Sequence, residues 1–328
     1  MPTNLPPEYF EVEKRYREAK TPTEKIACLE ELLTIVPKHK GTDKLRADLR
    51  RRVSKVKAAS QTKKTLSKRE SAFRIDKEGA AQVVVVGPAN VGKSALLATL
   101  TNAAPEVADF PHTTWKPSPG MMPVENIQIQ LIDTPPLSKE YVEPEFMDLI
   151  RRADLVLLMV DLQTDPLQQL DDSVSLLQEH GIVPLRLKDR YLDQRGLTFI
   201  PYLVLANKND NADTDENFEI FHELLEDEWP VISASVTAGR NLELLKQTLV
   251  ERLNIIRVYS KSPGKKPDLT SPFVLKKGST VADFARKIHK DFVQNLKTAK
   301  VWGASVYDGQ MVRRDYVLQD GDVVELQI

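Results

Sequence analysis

Hydrophobic positions change their period along this chain, and each change marks an architectural boundary. Ile26, Leu29, Leu32, Leu33 and Val36 recur at helical spacing and end at Pro37. They follow TPTE (Thr21 to Glu24), which reads as a capping box with threonine at the N-cap and proline in the first turn. A second helix starts near Thr42. Leu45, Leu49, Val53 and Val56 form its apolar stripe, and its other faces are mostly Arg and Lys. From Ala81 to about Leu253 the pattern alternates between continuous apolar runs and helical stretches. VVVV (Val83 to Val86), LVLLMV (Leu155 to Val160) and YLVLAN (Tyr202 to Asn207) read as strands buried on both faces, and IQIQLID (Ile127 to Asp133) alternates before turning apolar. Such alternation predicts an α/β domain with a mostly parallel sheet and helices on both faces. From Asn254 the units shorten. IIRVYS, FVL, AKVW and VVELQI read as strands, and TVAD (Thr280 to Asp283) caps a helix bearing Phe284, Ile288 and Phe292. The predicted division is a helical region at 1–60, a polar linker at 61–80, an α/β domain at 81–253 and a small α+β module at 254–328.

Composition narrows the class. The chain has 328 residues, 41% hydrophobic and 28% charged, which is ordinary for a soluble globular protein with room for several domains. No apolar run approaches the ~18 residues of a membrane helix, and the N-terminus lacks the apolar core of a signal peptide. A cytoplasmic protein without a membrane partner is expected, consistent with a single cysteine, Cys28. Net charge is −1, yet Lys44 to Arg69 holds eleven basic residues and one acid, Asp48. That imbalance points to a polyanion as partner.

The chemistry starts where VVVV runs into GPANVGKS (Gly87 to Ser94). A strand, then GxxxxGKS, then a helix is a phosphate-binding loop. Backbone N–H groups of Gly87, Pro88, Ala89, Asn90, Val91 and Gly92 (proline excepted) and the helix N-terminus cradle phosphate oxygens. Lys93 reaches the β- and γ-phosphates, and Ser94 gives its hydroxyl to Mg²⁺. NKND (Asn207 to Asp210, including Lys208) closes a buried strand. There Asp210 can accept from N1–H and the 2-amino group of guanine, donors that adenine lacks. The SAS stretch at Ser233, Ala234 and Ser235 follows the next strand and completes a base site. Between them, DFPHTTWKP (Asp109 to Pro117) offers a threonine for Mg²⁺ and the γ-phosphate, Thr114 in preference to Thr113. DTPP (Asp133 to Pro136) offers Asp133 as an outer-sphere Mg²⁺ partner. The expected ligands are GTP or GDP with Mg²⁺, and Lys93, Asn90 and Thr114 are the candidates for catalysis.

These motifs resemble those of translation-factor-class GTPases, and more closely the Obg/developmentally-regulated GTP-binding group. FPHTTWKP is similar to that group's first switch. IRVYSKSPGKKPDLTSPFVLKKGSTVADFARKIHKDF, followed by AKVWG and DGDVVEL, resembles a TGS domain, a ubiquitin-like β-grasp module. The resemblance implies GTP binding, slow hydrolysis and association with ribosomes or RNA, through the Lys44–Arg69 segment and the TGS domain; DNA is not an expected partner. Asn90 resembles the loop asparagine of K⁺-dependent GTPases, which implies a K⁺ site; bracing of the loop is its other reading. Three departures stand out. Only 46 positions separate Asp161 from Asn207, so the inserted domain of developmentally-regulated members is missing there. Pro136 replaces the glycine of DxxG, and Leu137 stands where many GTPases carry a water-orienting glutamine. Both departures favour, as the alternative, a nucleotide-bound interaction module that barely switches or hydrolyses.

Overall fold

In a computed structural model of the chain, residues 6–19, 22–37, 42–56, 73–102, 116–138, 143–225 and 229–327 are described. Two units divide at Ala72 and Phe73. The first holds α1 (Pro7–Glu18), α2 (Pro22–Ile35) and α3 (43–56). Its core joins Tyr9 and Val12 to Leu29, Leu32 and Val36, and to Leu49 and Val53 of the predicted α3 stripe. Arg46 turns inward and donates to the carbonyls of Leu33 and Val36 at 3.0 and 2.5 Å. It thus satisfies carbonyls left open at the end of α2. Thr21, the N-cap of the expected TPTE box, lies outside the described residues.

The second unit contains two sheets. The larger runs β2–β3–β1–β4–β7–β8. It consists of β1 (Gln82–Val86), β2 (Ser118–Val124), β3 (Ile127–Asp133), β4 (Leu155–Asp161), β7 (Tyr202–Asn207) and β8 (Val231–Ser233). All its neighbours pair in parallel except β2, which is antiparallel to β3. All five residues of β1 and all seven of β4 are buried, as helices on both faces require. Those helices are α4 (Lys93–Leu100), α5 (Pro144–Arg151), α6 (Pro166–Glu179), α7 (Ala212–Leu224) and α8 (Leu242–Leu253). A two-stranded parallel excursion, β5 (Ile182–Pro184) and β6 (Thr198–Ile200), lies between α6 and β7. Because β1 is flanked by β3 and β4, strand order reverses there. The crevice outside the carboxyl ends of the strands at such a reversal is the usual ligand position in these sheets.

The smaller sheet runs β10–β9–β13–β11–β12. Its strands are β9 (Ile255–Ser260), β10 (Phe273–Lys276), β11 (Thr298–Trp302), β12 (Gln310–Val312) and β13 (Val323–Gln327). Only the central pair, β9 with β13, is parallel. Helices α9 (Val281–Ile288) and α10 (Lys290–Asn295) complete the module. Phe284 of α9 packs with Ile256, Val258, Leu275, Val301 and Val324 in a core of its own. The expected cap is present: Thr280 accepts from Asp283 N–H, and the Asp283 side chain accepts from Thr280 N–H. This is a β-grasp.

Candidate nucleotide-binding site

At the carboxyl end of β1 the chain needs glycine twice. Gly87 has φ 149°, and a Cβ there would lie 2.4 Å from the Met159 carbonyl oxygen. Gly92 has φ 102°, and its Cβ would lie 2.5 Å from Asn207 Nδ2. No other residue lets the loop fold so close to β4 and β7. Between the glycines, Asn90 adopts φ 63° and is exposed with Ala89. Pro88 is half-buried and Val91 buried. Helix α4 starts at Lys93 with no side-chain cap, so its first N–H groups have no protein side chain to serve.

Lys93 is buried and donates to the carbonyls of Gly87 (3.0 Å) and Pro88 (2.7 Å). Burial pulls its ammonium down to about 8, with Asp133 pulling the other way. Ser94 donates to Asp133 Oδ2 at 2.6 Å. Burial raises the Asp133 carboxyl above its ordinary range, opposed by the Ser94 hydroxyl and the Lys93 ammonium. Its other oxygen, Oδ1, is buried without a hydrogen-bond partner. A hydroxyl, a carboxylate with one orphaned oxygen and a buried ammonium form a donor set suited to a divalent cation and polyphosphate oxygens. Thr134 anchors the following loop by donating to Val85 O at 2.6 Å. Pro136 has no N–H. Leu137 N–H instead donates to Gly87 O at 3.1 Å, tying this loop to the phosphate loop. Thr113 and Thr114, the expected first-switch threonines, lie outside the described residues.

The other end of the crevice is assembled around Asn207. Its Nδ2 donates to Val91 O (2.8 Å), and its Oδ1 accepts from Val236 N–H (3.2 Å). One side chain thereby joins the phosphate loop to the loop after β8. Lys208, with φ 66°, pairs with buried Asp161 at 2.5 Å. Asp210 is exposed, and its two oxygens are held separately. Ser235 Oγ donates to Oδ1 at 2.5 Å, and Gln163 Nε2 donates to Oδ2 at 3.1 Å. A carboxylate has about four acceptor positions, so two remain for a base edge presenting two donors. Within the SAS stretch, the Ser233 carbonyl accepts from Asn241 Nδ2 at 3.0 Å, and Ala234 donates its N–H to Ala206 O and accepts from Asn209 N–H. Asp210 is oriented by Ser235, the last residue of the SAS stretch, and by Gln163, which no motif marks. Gln163 is invisible in sequence because its register follows from Asp161, whose Oδ1 accepts from Gln163 N–H.

A phosphate loop at the strand-order reversal, a cation-type donor pair and an oriented carboxylate at the base end define a P-loop nucleotide-binding protein. Comparisons with known proteins agree. Residues 82–188 match the family model described as a 50S ribosome-binding GTPase, and residues 256–327 match the TGS domain. An uncharacterized GTP-binding protein of Methanocaldococcus jannaschii is 32% identical, with 93% of this chain and 92% of the relative covered. Ribosome-interacting GTPase 1 of Saccharomyces cerevisiae is 24% identical, with 93% and 99% covered. Among solved structures, the YchF GTPase of Schizosaccharomyces pombe shares the fold at a TM-score of 0.51 and 15% identity, covering 77% of this chain and 99% of that one. The chain belongs to the family of GTP-binding proteins that join a GTPase G domain to a C-terminal TGS domain. The archaeal alignment spans 362 positions against 328 residues here, so that relative carries segments this chain lacks. No helix among the described residues is long and apolar enough to cross a membrane.

Proposed function

We propose that this protein is a slow, Mg²⁺-dependent GTPase of the developmentally-regulated type that acts on ribosomes or structured RNA. The single observation carrying the nucleotide reading is the pairing of two half-sites by Asn207. Lys93, Ser94 and Asp133 stand at the phosphate end, and Asp210, oriented by Ser235 and Gln163, stands at the base end. Ser94 and Asp133, joined by Thr114, would hold Mg²⁺. Bound there, the ion offsets negative charge on the β- and γ-phosphates. Lys93 supplies positive charge at the same oxygens in a water-poor loop, and the α4 N–H groups add fixed dipoles. Asn90 is exposed on the loop and is the candidate for holding K⁺. Leu137 cannot orient water by hydrogen bonding, which fits slow turnover.

The partner reading rests on two supports. The G-domain model is described by 50S ribosome binding, and the yeast relative is named for ribosome interaction. Arg50, Arg51, Arg52 and Lys55 are exposed on α3. Arg46 is half-buried and also serves α2. Lys57, Lys63, Lys64, Lys68 and Arg69 lie outside the described residues. Competition of GTP, ADP and ATP against a fluorescent GDP, together with ribosome co-sedimentation in each nucleotide state, tests both halves. Selective displacement by GTP and co-sedimentation are expected. Equal displacement by ADP rejects the guanine reading, and absence from the ribosomal pellet in every state rejects the partner.

A second reading has its own observation. Leu137 N–H, the nearest substitute for the missing glycine N–H, is already bonded to Gly87 O. A weakly switching module would keep it there.

A further inference from the structure

The hairpin formed by β2 and β3 links the two switch elements. Its first strand begins just after the 109–117 segment, and its second ends at Asp133. The strands pair residue by residue from Ser118↔Asp133 to Val124↔Ile127, which carries the tip ~20 Å from the site. The two-residue turn is Glu125–Asn126. Glu125 sits at φ 50°, where glycine or asparagine would be at ease and glutamate is strained.

A glutamate in that position has its explanation in the β-grasp. Arg257 of β9 pairs with Glu125 and also forks onto Asp320, at 2.7 and 3.1 Å. Asn126 Nδ2 donates to Tyr259 Oη at 2.7 Å and lies 3.4 Å from Leu269 O. Asn126 Oδ1 is buried with no hydrogen-bond partner. The turn sequence therefore suits the neighbouring module better than it suits the turn itself, and one acceptor is left open in this arrangement.

We propose that the TGS module is a clamp on this hairpin and regulates the nucleotide state of the G domain. The inference rests on the GTPase reading above. Leu137 N–H is bonded to Gly87 O. For the loop after β3 to serve a γ-phosphate, that bond must break and the end of β3 must shift. Continuous pairing with β2 carries the shift to the tip, because packed elements move as units rather than bending residue by residue. Arg257 and Tyr259 resist it. The clamp thus favours the form without a γ-phosphate, and a ligand that draws the TGS module off the hairpin favours GTP. Linkage makes the effect reciprocal: GTP loosens the module.

The test uses the full chain with one substitution on each side of the contact. Glu125→Gly removes the ion pair while relieving the turn, and Tyr259→Phe removes only the hydroxyl. Affinities for GDP and a non-hydrolysable GTP analogue are measured for the natural chain, each variant and the double variant. Coupling energies of the usual size predict that each variant shifts the ratio toward the analogue by about fivefold. The double variant should fall short of the product of the two. General damage to the fold would weaken both nucleotides together, so it does not mimic a changed ratio. As an independent measure, amide exchange in the unmodified chain should differ between GDP and analogue at 118–133 and 255–260. Unchanged ratios and identical exchange, with GDP binding intact, overturn the clamp and leave the GTPase reading standing. A natural chain that binds no guanine nucleotide overturns both.

Discussion

Asp210 and Lys93 are the side chains whose chemistry is most open to test. Asp210 has both oxygens oriented by protein donors, so under the proposed reading guanine would meet a carboxylate already in position. In Asp210→Asn an amide donor faces guanine donors. Loss of two hydrogen bonds to a charged group, ~1.5–3 kcal/mol each, predicts GTP binding weaker by about 100-fold or more, with xanthosine nucleotides gaining relative affinity. Titration of both nucleotides checks this. An unchanged selectivity would remove Asp210 from the base site. Lys93 makes a pH prediction. Burial in the free loop lowers it from 10.5 to about 8. Between those values the unfolded chain holds a proton that the folded chain does not. Stability of the nucleotide-free protein therefore rises with pH across that window, and the gain disappears as pH falls through about 8. Phosphate beside Nζ restores the ammonium, so GDP binding at about pH 8.5 should take up protons. Calorimetry in buffers of different ionisation enthalpy reads that uptake, and its absence would mean that Lys93 does not face phosphate.

At the scale of elements, the proposed switching turns on the loop after β3. Pro136 cannot donate to a γ-phosphate, and Leu137 N–H is committed to Gly87 O. The natural chain should bind GDP and a GTP analogue with similar affinity. Pro136→Gly should improve analogue binding by about tenfold or more, as one hydrogen bond to a charged group is worth ~1.5–3 kcal/mol. Competition titrations decide. A strong analogue preference in the natural chain, unchanged by glycine, would mean that residue 136 does not control the switch. The strands that carry this loop show what sequence reveals. β1, β4 and β7 are legible because burial on both faces demands unbroken apolar runs. β2 is not, because SPGMMPV contains two prolines and a glycine; that is tolerable only because it lies at the edge of the sheet, with β3 alone beside it. α1 falls in the 1–60 stretch read as helical but has no apolar stripe to mark its bounds, because only Tyr9 and Val12 of its twelve residues are buried. Phosphate-loop and base motifs are legible because backbone geometry dictates their residues. Gln163 and the pairing of Glu125 with Arg257 are not, since each depends on where a distant strand places its partner.

Across the whole molecule, a basic helical unit precedes a G domain to which a TGS module is fastened through the β2–β3 tip. If the exposed arginines of α3 meet RNA phosphates, replacing Arg50, Arg51 and Arg52 by glutamine should weaken ribosome binding. It should also flatten its salt dependence, by ~0.7–0.9 in log–log slope for each phosphate that the protein no longer neutralises. An unchanged slope would return α3 to the role of a solvated helix face. The claim on which all the rest depends is that the crevice binds GTP productively. Single-turnover hydrolysis by the full chain with Mg²⁺, measured with and without ribosomes, tests it most directly. The account predicts slow conversion of GTP to GDP and phosphate by the protein alone, none of ATP, and faster conversion on ribosomes. No hydrolysis under either condition, or equal hydrolysis of ATP, would contradict it.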